Sequence, residues 1–184
     1  MRKLIVTEWM SLDGVFDAET MGDWWGPYDS DERAAHIQHE IGSAGGFVLG
    51  RRTYEMLAPY WSAMKNNEMG VAGNLNGAPK YVLSSTLGTA SWNNTTIIKR
   101  DAPKEIAKLK QQAGGQLLVM GSAKLVHSLA GEGLVDEYRF LITPVVVGHG
   151  RRFFDDGART TKLTPTSART FKSGVLAVSY TPVA

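Results

Sequence analysis

Residues Phe47 to Glu55 read FVLGRRTYE. Three apolar residues run into a glycine, and two arginines, a threonine and a tyrosine follow at once. A short apolar run closed by glycine predicts a strand buried on both faces. The residues beyond it, RRTYEMLAPYW, predict a helical turn that stops near Pro59, because proline lacks the N–H that a helix interior needs. A strand that passes through one glycine into a helix is half of a βαβ unit, the building block of a parallel sheet. The same stretch raises a chemical question: why two cations and a hydroxyl stand at the exit of a buried strand.

The rest of the chain repeats the pattern. KLIVTEWM (Lys3 to Met10) is rich in β-forming residues and predicts a strand. Ser11 to Ser30 show no period, and a stretch of that length in a compact domain points to a functional loop. SDERAAHIQHEIGSAGG starts with Ser30 as N-cap, carries acids in its first turn and ends in glycines, so it predicts a helix. Residues 62 to 78 are polar and read as loop. PKYVLSST and TTIIK predict strands, APKEIAKLKQQAGG a helix, QLLVMG a strand and SAKLVHSLAGEG a helix. LVDEYRFLITPVVVGHG reads as one long strand, and KLTPTSARTFKSG with VLAVSYTPV as a hairpin turning at Lys172, Ser173 and Gly174. The expected fold is α/β: one domain over residues 1–184, with a mixed, mostly parallel sheet, helices on both faces and a closing antiparallel hairpin.

Composition narrows the function. The chain has 184 residues and no cysteine, which removes disulfides and thiolate metal sites. Twenty basic residues nearly balance 18 acidic ones. The basic residues come as pairs, Arg51-Arg52, Lys99-Arg100 and Arg151-Arg152, which suits a small anionic ligand better than a polyanion, so no nucleic-acid partner is expected. No apolar run approaches the ~20 residues of a membrane span, and no leader peptide is evident, so the expectation is a cytoplasmic protein without a membrane partner. His36, His39, His127 and His149 show no ligand spacing, and no metal is expected.

In open parallel sheets, ligands gather at the carboxyl ends of strands. Three junctions qualify. At Gly50-Arg51-Arg52-Thr53 a helix start offers free N–H groups, and arginines reach phosphate oxygens. At Leu83-Ser84-Ser85 two hydroxyls stand where a ribose or its phosphate could be held. At Val119-Met120-Gly121-Ser122-Ala123-Lys124 an apolar strand meets Gly-Ser at a helix start, without the G-x-G-x-x-G fingerprint. If the sheet is right, all three line one rim.

The stretches MSLDGVF (Met10 to Phe16), VLGRRTYE, KYVLSST, LLVMGSAKLVHSL and GLVDEYRFLITPVVVGHGRRFF together resemble the dihydrofolate-reductase-like superfamily. Within it the chain is most similar to the reductase domain of the bifunctional riboflavin-biosynthesis deaminase-reductase, without the deaminase half. The resemblance implies an NADPH-dependent reductase on a sheet of about eight strands. Its substrate would be a heterocycle such as 5-amino-6-(5-phosphoribosylamino)uracil, and a homodimer is expected. It implies that Arg51, Arg52 and Thr53 bind the cofactor's phosphates, and that Leu83, Ser84 and Ser85 lie at the adenine ribose and its 2′-phosphate. Val119 to Ala123 would hold the nicotinamide side and pyrophosphate, Ser11, Leu12, Asp13 and Gly14 the closing lid, and Thr143 a hydroxyl facing the pocket. One departure stands out: where the family often has consecutive glycines, this chain has Gly121 followed by Ser122.

Asp31 and Glu32, on the first long helix, are the candidate proton donors, with plain helix-dipole partners as the alternative. Trp24 and Trp25 could stack on a substrate ring or pack the loop onto the core. Two rival functions are a true dihydrofolate reductase and a non-catalytic nucleotide-binding protein that keeps the fold.

Overall fold

A computed structural model describes residues 1–154 and 160–183. The strands are β1 (Leu4–Ser11), β2 (Gly46–Gly50), β3 (Lys80–Leu83), β4 (Thr95–Ile98), β5 (Leu117–Met120), β6 (Glu137–Thr143), β7 (Leu163–Thr170) and β8 (Leu176–Pro182). The helices are α1 (Met21–Trp24), α2 (Asp31–Gly42), α3 (Arg51–Ser62), α4 (Ala72–Gly77), α5 (Ala102–Gln111) and α6 (Ala123–Gly131). One sheet holds all eight strands in the order β4-β3-β2-β5-β1-β6-β8-β7. Pairing is parallel from β4 to β6, and the β7–β8 hairpin joins β6 antiparallel. The mostly parallel eight-stranded sheet with helices on both faces is therefore as expected.

The two faces follow from alternation along β1. Leu4, Val6 and Met10 point into a core shared with Ile106 and Leu109 of α5 and Val126 and Leu129 of α6. Ile5 points the other way, into a core with Ile41 of α2, Tyr54 and Ala58 of α3 and Leu75 of α4. Each buried leucine, isoleucine, valine or methionine side chain of these cores contributes roughly 1.5–3 kcal/mol. No helix among the described residues is long and apolar enough to cross a membrane.

Three boundaries differ from expectation. Helix α3 runs through Pro59 to Ser62, because Asn76 Nδ2 donates to Trp61 O at 3.0 Å and secures the last turn. Residues 62 to 78 include α4, whose sequence AGNLNG shows no period. Its helix is held from outside: Asn74 Nδ2 donates to the carbonyls of Ile41 and Ala44, and Leu75 is buried. The long strand after Leu134 stops at Thr143, where Pro144 has no N–H for the ladder. The N-cap of α2 is as read, with Ser30 Oγ accepting from Arg33 N at 3.2 Å.

Candidate functional site

The sheet order puts β3, β2 and β5 side by side, so the three junctions fall on one rim. Gly50 is in register with Leu83, and Leu49 with Met120. The junctions also touch. Arg51 Nη1 donates to Thr86 Oγ1 at 2.8 Å, which joins the first to the second. A Cβ on Gly50 would come within 2.1 Å of Ser122 Oγ, and one on Gly121 within 2.9 Å of Thr53 Oγ1, which joins the first to the third.

Each junction has its own local cause. Gly50 caps α3 without a side chain, so the first-turn N–H groups receive no side-chain cap among the described residues. Arg51 also pairs with Glu55 at 2.7 Å, and Arg51 and Arg52 are both exposed. Thr53 is buried beneath them. At the second junction Ser84 Oγ accepts from the N–H groups of Thr86 and Leu87, closing a tight turn that leaves Ser85 exposed and Leu83 half-buried. At the third, Val119 is fully buried, while Met120, Gly121, Ser122 and Ala123 are half-buried and Lys124 is exposed. Gly121 and Ser122 both take positive φ, 62° and 66°. The non-glycine residue in that pair accepts strain so that α6 can start where it does. Ser122 makes no side-chain cap to α6. Two helix starts with uncapped N–H groups thus point at one rim, an arrangement suited to anions.

The expected lid is tied down. Asp13 accepts from Ser11 Oγ at 2.7 Å, from the N–H groups of Val147 and Gly148 at 3.0 and 2.9 Å, and from Arg152 Nη2 at 3.3 Å. The Ser11 hydroxyl, followed by the two main-chain donors, holds its carboxyl well below the usual carboxylate range. Ser11 is fully buried, Leu12 is exposed, and Gly14 takes a φ of +80° at the turn. Thr143 is fully buried, and its hydroxyl donates to Met10 O at 3.2 Å rather than standing free in a pocket.

The tryptophans pack inward. Trp24 is fully buried with Leu141, Phe171 and Val175, so stacking on a substrate does not suit it. Trp25 lies flat between Trp9, at 4.3 Å, and the Arg33 guanidinium, at 4.0 Å. That three-layer stack covers the α2 side of β1's carboxyl end. Asp31 is exposed. Glu32 accepts from Lys172 N at 2.7 Å and from Arg169 Nη2 at 2.8 Å, and these bonds lower its pKa. Glu32 thus clamps the start of α2 to the β7–β8 hairpin, and these bonds favour its ionised form, which has no proton to give.

Two carboxyls were not singled out in the sequence. Glu40 is buried on α2. Its Oε2 accepts from Thr7 Oγ1 at 2.7 Å, while Arg139 Nη1 lies 3.8 Å from Oε1. Burial raises its pKa, against the pull of Thr7 and Arg139. It lines a cavity of about 240 Å³ beside β6, β8 and β7, with His36, Arg139 and Arg169. Glu8 stands where β1 parts from β5. That pairing ends at Thr7 opposite Met120, whereas β1 continues against β6 to Ser11 opposite Thr143. In the fork so formed, Glu8 Oε1 accepts from Trp9 N at 3.1 Å, and Oε2 is buried without a hydrogen bond of ordinary geometry among the described residues. Desolvation pushes the Glu8 carboxyl up to about 8, although the N–H groups of Trp9 and Gly121 favour its anion. The one sequence signal was a lone acid inside the apolar run LIVTEWM.

The RibD C-terminal domain family matches residues 2–177, nearly the whole chain. The chain belongs to that family. A relative within reach of sequence comparison is the uncharacterized protein YyaP of Bacillus subtilis (strain 168), 28% identical over 183 residues, covering 97% of this chain and 94% of that one. Among solved structures, a pyrimidine reductase-like protein from Corynebacterium diphtheriae superposes with a TM-score of 0.71 at 13% identity, covering 100% of this chain and 92% of that one. The dihydrofolate reductase of Enterococcus faecalis, solved with NADP(H), superposes with a TM-score of 0.65 at 13% identity, covering 99% and 97%. At such identities the structural matches establish the fold, which is dihydrofolate-reductase-like. In this RibD C-terminal domain the rim and the fork form the candidate site.

Proposed function

We propose that this chain is a cytoplasmic NADPH-dependent reductase of a heterocyclic small molecule, acting as a homodimer. The substrate most in keeping with its family is 5-amino-6-(5-phosphoribosylamino)uracil of riboflavin biosynthesis. One observation carries the reading: three chain crossings meet on one rim, with two uncapped helix starts and two arginines among them. The donor set fits a dinucleotide phosphate. The first turns of α3 and α6 offer main-chain N–H groups to the pyrophosphate, and Arg51 and Arg52 offer planar, permanently charged donors to a terminal phosphate. Ser84 and Ser85 follow the neighbouring strand β3, where their hydroxyls would reach the adenine ribose. NADPH, when bound, supplies the hydride; the chain positions it and excludes water. Dihydrofolate reduction fits less well, because Glu32 is engaged by Arg169 and Lys172 and Asp31 is exposed.

Titration of the chain with NADPH and NADH tests the reading. Binding should favour NADPH by tenfold or more, which is about 1.4 kcal/mol or more. Replacing Arg51 and Arg52 by alanine together should erase that preference while leaving the thermal midpoint nearly unchanged, since both side chains are exposed. Equal affinity for the two nucleotides, or none for either, would remove the cofactor. Consumption of NADPH upon addition of 5-amino-6-(5-phosphoribosylamino)uracil then tests the substrate, and a chain that binds NADPH but leaves this pyrimidine untouched would remove it as the substrate.

A further inference from the structure

Four points follow one another along the rim in strand order. Ser84 and Ser85 come after β3, Arg51 to Thr53 after β2, Gly121 to Ala123 after β5, and Glu8 lies in the fork between β5 and β1. NADPH is a linear molecule with matching parts. A phosphorylated adenosine forms one end, the pyrophosphate the middle, and a nicotinamide ring bearing a primary carboxamide the other end. With phosphates on the starts of α3 and α6, the ring end reaches the fork.

We propose that Glu8 recognises the nicotinamide carboxamide, its carboxyl group forming a two-point hydrogen-bonded pair with that amide. The proposal rests on the NADPH reading above and names the side chain that would read the ring.

Complementarity supports it. A neutral carboxylic acid offers one O–H donor and one carbonyl acceptor, and a primary amide offers the matching acceptor and donor. Glu8 has the capacity to spare. Oε1 already accepts from Trp9 N at 3.1 Å but retains a second lone pair, and Oε2 is buried with no hydrogen bond of ordinary geometry among the described residues, the Gly121 N–H acting on the carboxyl only as a weaker donor. Buried polar atoms are nearly always satisfied, so an unpaired oxygen beside the rim is suited to a partner that arrives with a ligand. Burial also keeps the acid protonated up to about pH 8. The groups that act on its titration are the main-chain N–H groups of Trp9 and Gly121, with no charged side chain among the described residues.

The test compares two ligands by isothermal titration calorimetry on the full chain. One is NADPH. The other is adenosine 2′,5′-bisphosphate, which keeps the adenosine, the 2′-phosphate and one 5′-phosphate but has no carboxamide. Glu8→Ala should weaken NADPH tenfold or more and adenosine 2′,5′-bisphosphate twofold or less. Glu8→Gln, whose side chain again offers a donor and an acceptor, should hold NADPH within threefold of wild type at pH 7. Between pH 7 and 9.5 the wild-type chain should lose NADPH affinity relative to the bisphosphate, and Glu8→Gln should not. Should Glu8→Ala fail to fold, the comparison of wild type with Glu8→Gln across pH decides alone. Equal losses for both ligands, or a wild-type affinity ratio that does not move with pH, would overturn the role of Glu8 while leaving NADPH binding intact. A wild-type chain that binds neither ligand would overturn the cofactor reading, and this proposal with it.

Discussion

Gly121 and Thr53, 68 positions apart, meet so closely that a methyl group on the glycine would stand 2.9 Å from the threonine hydroxyl. This contact binds the start of α6 to the start of α3. It needs a residue that is both small and tolerant of a φ of +62°. Gly121→Ala should therefore cost about 1–3 kcal/mol, combining the left-handed penalty of ~1–2 kcal/mol with the crowding against Thr53. Urea unfolding measures it as a lower midpoint at constant slope. Ser122, with a φ of 66°, should respond in the opposite sense: Ser122→Gly relieves strain and should be neutral or stabilising by up to about 1 kcal/mol. A Gly121→Ala chain as stable as wild type would show that the junction is looser than described.

Asp13 anchors the loop after β1 to the segment after β6 through three donors, Val147 N, Gly148 N and Arg152 Nη2, and accepts a fourth bond from Ser11 at the end of β1. Asp13→Asn should lower stability by about 1–3 kcal/mol at pH 7, the usual cost of losing hydrogen bonds to a charged acceptor. The native carboxyl has a depressed pKa, led by the Ser11 hydroxyl. Its contribution is thus present above the unfolded value of about 3.9 and is lost as pH falls below it. Acid titration followed by fluorescence should show a shallower loss for Asp13→Asn than for wild type below pH 4. Parallel acid curves would mean that the native carboxyl is not preferentially ionised.

Glu8 gives the opposite slope. Its folded pKa, raised mainly by burial to about 8, exceeds the unfolded value of about 4.3, so the folded chain keeps a proton that the unfolded chain gives up between those limits. Stability linked to Glu8 is complete below about pH 4.3 and falls as pH rises to about 8. The slope approaches ~1.4 kcal/mol per pH unit when a whole proton differs. Urea midpoints at pH 5, 6, 7 and 8 should fall for wild type relative to Glu8→Gln. Midpoints that keep a constant difference across this range would place an ordinary, solvated carboxylate at position 8.

Local sequence alone determined much of this protein. Glycine after a buried apolar run, hydroxyls or Gly-Ser at helix starts and Ser30 as a cap are short-range signals, because a strand end or a helix cap is made by neighbours in the chain. From these came the strand and helix order and the three junctions. What tertiary structure decided was every feature whose cause lies far along the chain. Helix α4 exists because Asn74 reaches the carbonyls after α2, and α3 survives Pro59 because Asn76 secures its last turn. Trp24 and Trp25 read equally well as ligand platforms or core until β8 and Arg33 enclosed them. Glu8 and Glu40 became notable only once both faces of β1 were covered. A carboxyl among apolar residues takes its pKa and its partners from strands and helices that the local sequence does not name, since desolvation depends on everything packed around it.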